Sequence, residues 1–282
     1  MLASIQTVME TVEQLAPRCL AENWDNVGLQ LGDPQAEVTN ILVALDMDEA
    51  VGKEAARCGA NLAIVHHPLI FQPMRQIRYD APAGRLLRQL IQNGTAVYVA
   101  HTNLDIAEGG VNTALADRLG LVKTRVLQPL SPAKLREMTS IRPCRDREEV
   151  LGLGRIGHLN ASCHLEEFAR AVRTRLGCQS VRVCGEPSRL IRKVAVCGGS
   201  GSSLIPLAAR LGADVLVTGD VGYHDAQEAE RLGLALIDAG HAATERPILP
   251  YLADYLRVKM AEGGFATAVT ETKICGTQFW QN

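Results

Sequence analysis

A chain of 282 residues, 47% hydrophobic and 4% aromatic, is long enough to bury the core of one large domain or two smaller ones. Twenty-nine basic against thirty-one acidic residues leave a formal net charge of −2, so no positive field draws nucleic acid or anionic lipid. No apolar run approaches the ~18 residues that a membrane span needs.

The first segment, "MLASIQTVMETVEQLAP", carries acids inside an apolar pattern and has no basic flank, so it reads as an amphipathic helix and not as a signal peptide. The short β-branched run "ILVALD" (41–46) follows, then a helix "MDEAVGKEAARCG" closed by Gly59, then the strand "LAIV". After a loop come a helix "APAGRLLRQLIQNG" ending at Gly94, a third strand "AVYVA" (96–100), the loop "HTNLD", and a helix from about Val111 to Leu119. Short apolar strands alternating with helices indicate βαβ units and a largely parallel sheet covered on both faces.

Residues 128–190 are less regular, with "PLSPAKLREMTSIRPC", a Gly-rich "LGLGRIGHL", the helix "LEEFARAVRTRLG" and the strand "SVRVCG". The βα rhythm then returns through "KVAVCGGSGSS", "LIPLAARLG", "DVLVT", "GDVGYHDAQEAERLG", "LALIDAG" and a final helix in "TERPILPYLADYLRVKM". No low-complexity linker separates the halves, and a soft boundary falls near residue 127, giving halves of 1–127 and 128–282. The eight cysteines include no CxxC pair, and most lie in apolar surroundings within predicted elements. They read as reduced structural thiols of a cytoplasmic protein.

Metal-capable side chains gather where strands end. His66 and His67 follow "LAIV", His101 and Asp105 follow "AVYVA", and His241 and Glu245 follow "LALIDAG". In open α/β sheets the carboxyl edge is where ligands bind. Each residue alone has a bland reading: a hydrogen-bonded structural histidine, an Asp in a turn or cap, a Glu favoured by a helix dipole. Five or six such groups at three strand ends make coincidence a poor account. His241 and Glu245, four apart, share one face if a helix begins there. Side chains alternate along a strand, so the neighbours His66 and His67 serve one site only where the strand stops, and Pro68 helps to fix that stop. At such a bend each histidine can reach its own ion, as two metals ~3.5–4 Å apart require. A carboxylate such as Glu245 or Asp105 can bridge both.

His224, after "DVLVT", is either a proton-transfer group or a cap, while His158 and His164 read as surface residues. Arg75 and Arg78 are either phosphate partners or solvated loop charges. "CGGSGSS" (197–203) is either a phosphate-binding turn or a tight strand-to-helix turn, and it lacks the lysine of a P-loop. Trp24 is expected to be a packed core indole, with stacking on a base as the alternative.

Together "AENWDNVGLQLGDP", "IVHHPLIF", "HTNLDIAEGGVN", "GLGRIGHL", "VAVCGGSGSS", "TGDVGYHDA" and "DAGHAATE" resemble the Nif-three-like dinuclear metal-centre family, whose members are often labelled GTP cyclohydrolase type 2 homologues. The resemblance runs from about Ile5 to Leu256. It implies a three-layer α/β/α architecture of two intertwined, similar halves with mixed, largely parallel sheets, assembled as a toroidal homohexamer. It also implies two divalent ions, with zinc, iron and manganese all suiting the donor set. His67 and Asp105 would bind one ion and His66 and His241 the other. Glu245 would bridge both, and His101 would stand beside the pair.

Such a site suits a metal-dependent hydrolase acting on a small molecule, a nucleotide being the candidate, through an activated water. For a GTP-type substrate the water would attack the imidazole-ring carbon, with His101 or His224 carrying protons. The alternative is a non-catalytic metal-binding protein: a carrier, or a regulatory or scaffold partner. Turnover by the metal-loaded protein separates the two.

Overall fold

Three apolar runs of the first hundred residues become parallel neighbours in one sheet. The computed structural model describes residues 1–132, 134–135 and 151–274. Its strands are β1 (Ala3–Ser4), β2 (Gly28–Leu31), β3 (Glu37–Val38), β4 (Asn40–Ala44), β5 (Leu62–Val65), β6 (Ala96–Val99) and β7 (Val122–Pro129). They continue with β8 (Gly152–His164), β9 (Arg182–Cys184), β10 (Leu190–Ser200), β11 (Val215–Gly219), β12 (Ala235–Asp238) and β13 (Ala268–Glu271). The chain forms two units, one of Met1–Leu104 with the segment that starts at Leu249, the other of Asp105–Ile248. The division falls at 104/105, and residue 127 lies within β7 of the second unit. A boundary read from sequence marks where the βα rhythm weakens. The packed boundary marks where chain contacts change partner, and β7 pairs forward with β8.

The first unit holds a five-stranded sheet in the order β13-β4-β5-β6-β2, and β1 pairs with β3 in a separate ribbon. The four strands β13, β4, β5 and β6 run parallel, and β2 is antiparallel at the edge. All residues of β4, β5 and β6 are buried, which is why they read as continuous apolar runs without alternation. Leu42, Ala44, Ala63, Val65, Val97 and Val99 pack with Val51 and Ala55 of the helix Glu49–Arg57 and with Leu86 and Leu90 of the helix Pro82–Gln92. Tyr98, pointing to the other face, donates its hydroxyl to Glu13 in the helix Ile5–Leu15.

The second unit holds a six-stranded sheet in the order β7-β8-β10-β11-β12-β9. Its centre, β10-β11-β12, is parallel, and the flanking pairs are antiparallel. Alternate residues take opposite faces. Val194, Val196, Val215, Val217 and Ile237 pack with Phe168 and Val172 of the helix Leu165–Leu176, and Ala195, Leu216 and Leu236 pack with Ile205 and Ala208 of the helix Ile205–Arg210. Helices therefore cover both faces, and the fold is α/β with mixed sheets, as the motif set implied.

The Gly-rich segment that reads as irregular is the 13-residue strand β8. Its glycines hide the alternation, and they are needed there: a Cβ on Gly154, at φ +67°, would lie 2.9 Å from the Val196 carbonyl oxygen. Among the described residues no helix is long and apolar enough to cross a membrane. Cys58, Cys163, Cys178, Cys184 and Cys197 are thiols, and Cys144 and Cys275 lie outside the described residues. Burial, helped by the charges of Asp105 and Glu245, pushes the Cys197 thiol far up, which removes it as a nucleophile.

Candidate metal centre

The first unit brings three histidines together. β5 ends at Val65, and the backbone N–H groups of His66 and His67 both bond the Leu45 carbonyl, so the strand has stopped and the two rings no longer alternate. Their centroids lie 5.0 Å apart with planes tilted by 52°. His101, just past β6, packs 5.1 Å from His66 and 5.7 Å from His67. One ring nitrogen from each of the three falls within 4.8 Å of the others, a grouping that can hold a metal ion. His101 is thus nearer the other two than a bystander need be.

Each of these rings is oriented through Nδ1. His66 Nδ1 meets the Ala100 carbonyl at 2.9 Å, His67 Nδ1 meets Asp46 Oδ1 at 2.8 Å, and His101 Nδ1 meets Asp25 Oδ1 at 2.9 Å. Carbonyl and carboxylate oxygens only accept, so the proton sits on Nδ1 and Nε2 is the basic nitrogen. His66 is 2% exposed.

The second unit carries His241 and the carboxylates Asp105 and Glu245. His241 opens the five-residue helix His241–Glu245 directly after β12 and a Gly240 at φ +87°, and Glu245, 3% exposed, lies one turn on. His241 Nε2 and Glu245 Oε1 are 3.0 Å apart. His241 Nδ1 meets Asp220 Oδ2 at 2.7 Å. The Glu245 contact outweighs desolvation and, with the Asp220 contact, raises His241 to about 9. Asp220 itself adopts a left-handed φ of +55°, a conformation that costs energy in a non-glycine residue and that here points a carboxylate at the imidazole.

Asp105 sits in the short helix Thr102–Ile106 and not in a loop, a turn too brief for periodicity to show. Its carbonyl accepts from Asn112 Nδ2 at 2.9 Å, and Asn112 Oδ1 accepts from Gly198 N–H at 3.0 Å. Thr244 Oγ1 accepts from Gly199 N–H at 2.9 Å. The chain carrying Asp105 and the chain carrying Glu245 are thereby tied to the same glycine pair. The buried guanidinium of Arg155 donates to the carbonyls of Ala107, Gly152 and Gly154, fixing the turn after Asp105. Its desolvation lowers the arginine to about 10.

"CGGSGSS" is the end of β10, as far as Ser200, running through Gly201 into a single 3-10 turn at Ser202–Leu204, and its glycines make room for the site. A Cβ on Gly199, at φ +64°, would lie 2.5 Å from Glu245 Oε1 and 3.2 Å from His241 Nε2. A Cβ on Gly219 would lie 2.6 Å from the His241 backbone nitrogen.

Other expected residues stand apart. His224 is exposed in the first turn of the helix Tyr223–Arg231, with Nδ1 3.1 Å from Gln227 Oε1. Arg75 and Arg78 are exposed, and Arg78 pairs with Asp80. His164 is exposed, as expected, at the start of the helix Leu165–Leu176, and His158 is half-buried in β8. Trp24 is not a core residue: it is 62% exposed. The orienting acids Asp25, Asp46 and Asp220 went unseen in the sequence. Asp46 and Asp220 each directly follow or nearly follow a strand, which was a usable signal.

The model of the Duf34/NIF3 (NGG1p interacting factor 3) family matches residues 3–275. The chain belongs to that family. It is 34% identical to a Clostridium perfringens protein named GTP cyclohydrolase 1 type 2 homolog, over 91% of this chain and 92% of that one. A Streptomyces coelicolor protein of the same name is 37% identical, over 86% of this chain and 82% of that one. In structure the chain is similar to a Bacillus cereus protein related to NIF3, with TM-score 0.92, 29% identity and all of both chains covered.

Proposed function

We propose that the chain is a dinuclear metal-dependent hydrolase whose substrate is a nucleotide or a related small molecule. The observation that carries this is the grouping of His66, His67 and His101, one ring nitrogen of each within 4.8 Å of the others and each ring held through Nδ1. The donor set of imidazole and carboxylate fits a divalent ion, and Gly199 leaves room beside Glu245 Oε1 and His241 Nε2 where any Cβ would intrude.

His66, His67, Asp105, His241 and Glu245 would hold two ions. Bound ions would supply Lewis acidity and lower the pKa of water toward neutrality. The residues of the chain do the rest. Asp46, Asp25, Asp220 and the Ala100 carbonyl fix the imidazoles, and Asn112 and Thr244 fix the segments carrying the carboxylates. His101, held by Asp25 beside His66 and His67, is the group placed to carry a proton. The names of the relatives point to GTP as the first substrate to test. We further propose a cytoplasmic homohexamer, to be read from its mass in solution.

The deciding experiment loads the purified protein with the metal found in it by elemental analysis and screens a nucleotide and phosphoester panel. Metal-dependent turnover abolished by Glu245→Gln, with assembly intact, is the expected result. Full metal loading with no turnover of any panel member would sink the hydrolase and favour a metal carrier or scaffold.

A further inference from the structure

Only two tryptophans and four phenylalanines occur in the chain, yet Trp24 is 62% exposed and Phe71 is 47% exposed. Both belong to the first unit, beside its histidines. The Trp24 and Phe71 rings meet edge to face, 6.0 Å apart at 68°, and Trp24 meets His101 at 6.2 Å and 76°.

The exposure is not looseness, because the residues next to both rings are fastened. The Asp25 side chain is wholly buried and accepts from His101 Nδ1 and from Thr102 N–H at 3.1 Å. Asn26 Nδ2 donates to the Ile70 carbonyl at 2.6 Å. Gln30 accepts from Ile70 N–H at 2.7 Å and donates back to its carbonyl at 3.2 Å. Hydrogen bonds thus fix the backbone beside Trp24 and beside Phe71 while the rings themselves face water. Large apolar rings gain by burial, so two of them held in solvent next to a polar site mark a surface that a ligand or a second copy covers, and their contact with His101 favours the ligand.

We propose that Trp24 and Phe71 form the wall on which a planar heteroaromatic ring of the substrate stacks, with the histidine cluster at its edge. The proposal rests on the histidines being part of a metal centre. Two rings at 68° make a corner: the bicyclic indole offers a face of purine or pteridine size, and Phe71 closes one side. Stacking is tolerant of ring identity, so this wall selects planar rings as a class.

The test uses the metal-loaded full chain with Trp280→Phe, which leaves Trp24 as the single indole. Guanosine and GTP are expected to quench its fluorescence, and inorganic tripolyphosphate is not. In calorimetry, Trp24→Ala should weaken guanosine binding about 5- to 150-fold, the span of one base–aromatic stack, and Trp24→Phe should recover most of it. Metal content and assembly mass should not change. Unaltered guanosine binding in Trp24→Ala overturns the wall. So does the absence of quenching by guanosine, adenosine and pterin alike. A changed assembly mass in Trp24→Ala also overturns it, because the rings would then belong to an interface with a second copy. The two readings fail separately. Ring binding at Trp24 in a protein that takes up no metal sinks the centre and keeps the wall, and metal uptake without ring binding does the reverse.

Discussion

The carboxylate of Asp25 accepts from Nδ1 of His101 at 2.9 Å across 76 residues of chain, and the same carboxylate takes the Thr102 N–H. Burial alone would raise this acid, yet the bonds from His101 and Thr102 outweigh it and hold Asp25 at about 2. A carboxyl lowered on folding adds stability above its ordinary pKa of 3.8, and that gain is lost as pH falls from there through about 2. Denaturant unfolding should therefore show Asp25→Asn less stable than wild type by about 2 kcal/mol at pH 6, with the gap closing toward pH 2. A gap that stayed constant with pH would mean that the ionised carboxylate is not what matters.

His241 in the metal-free protein should titrate near 9, since Glu245 and Asp220 both favour its charged form. The sign follows: the ion pair stabilises the fold fully below the ordinary 6.5 and ceases to as pH rises through about 9. Ring-proton NMR should place this value, and Glu245→Gln should lower it more than Asp220→Asn. An ion bound by Nε2 must displace that proton, so metal affinity should climb about tenfold per pH unit up to 9.

His66 and His67 are neighbours in sequence but are anchored by different acceptors, the Ala100 carbonyl and Asp46. On the proposed ligand assignment, His66→Ala should empty one metal position and His67→Ala the other. Elemental analysis of each variant should fall from two ions per chain to one. Loss of both ions in either variant would refute the split.

Asn112 is wholly buried and joins the Asp105 carbonyl to Gly198 N–H. Removing a group that holds a ligand in place typically costs 10–100-fold in metal affinity. Asn112→Ala should show such a loss in competition with a chelator of known affinity, with the secondary structure by circular dichroism retained.

Gly199→Ala combines a left-handed φ of +64° with a Cβ 2.5 Å from Glu245 Oε1. The substitution should destabilise the fold by about 1–3 kcal/mol and reduce metal content. Gly233→Ala, at φ +69° with nothing within 4 Å of the added Cβ, is the control, carrying the backbone strain without the clash.

The strand and helix rhythm is legible in the residues alone, because strands buried on both faces are apolar nearly throughout, as β4, β5, β6, β11 and β12 are. The residues alone also place His66, His67, His101 and His241 at strand ends, since a motif at the end of an apolar run is a local feature. Strand β8 was hidden because glycines serve backbone approach and carry no hydrophobic signal. Which residues aim the histidines is set by packing between distant segments. Asp25 and His101 lie 76 positions apart, and Asp220 and His241 lie 21 apart, distances at which no periodicity operates. The same packing decides the fate of Trp24. An indole reads as core by composition, and whether it is covered depends on what the rest of the chain brings to it, which here is the edges of Phe71 and His101, leaving it 62% exposed.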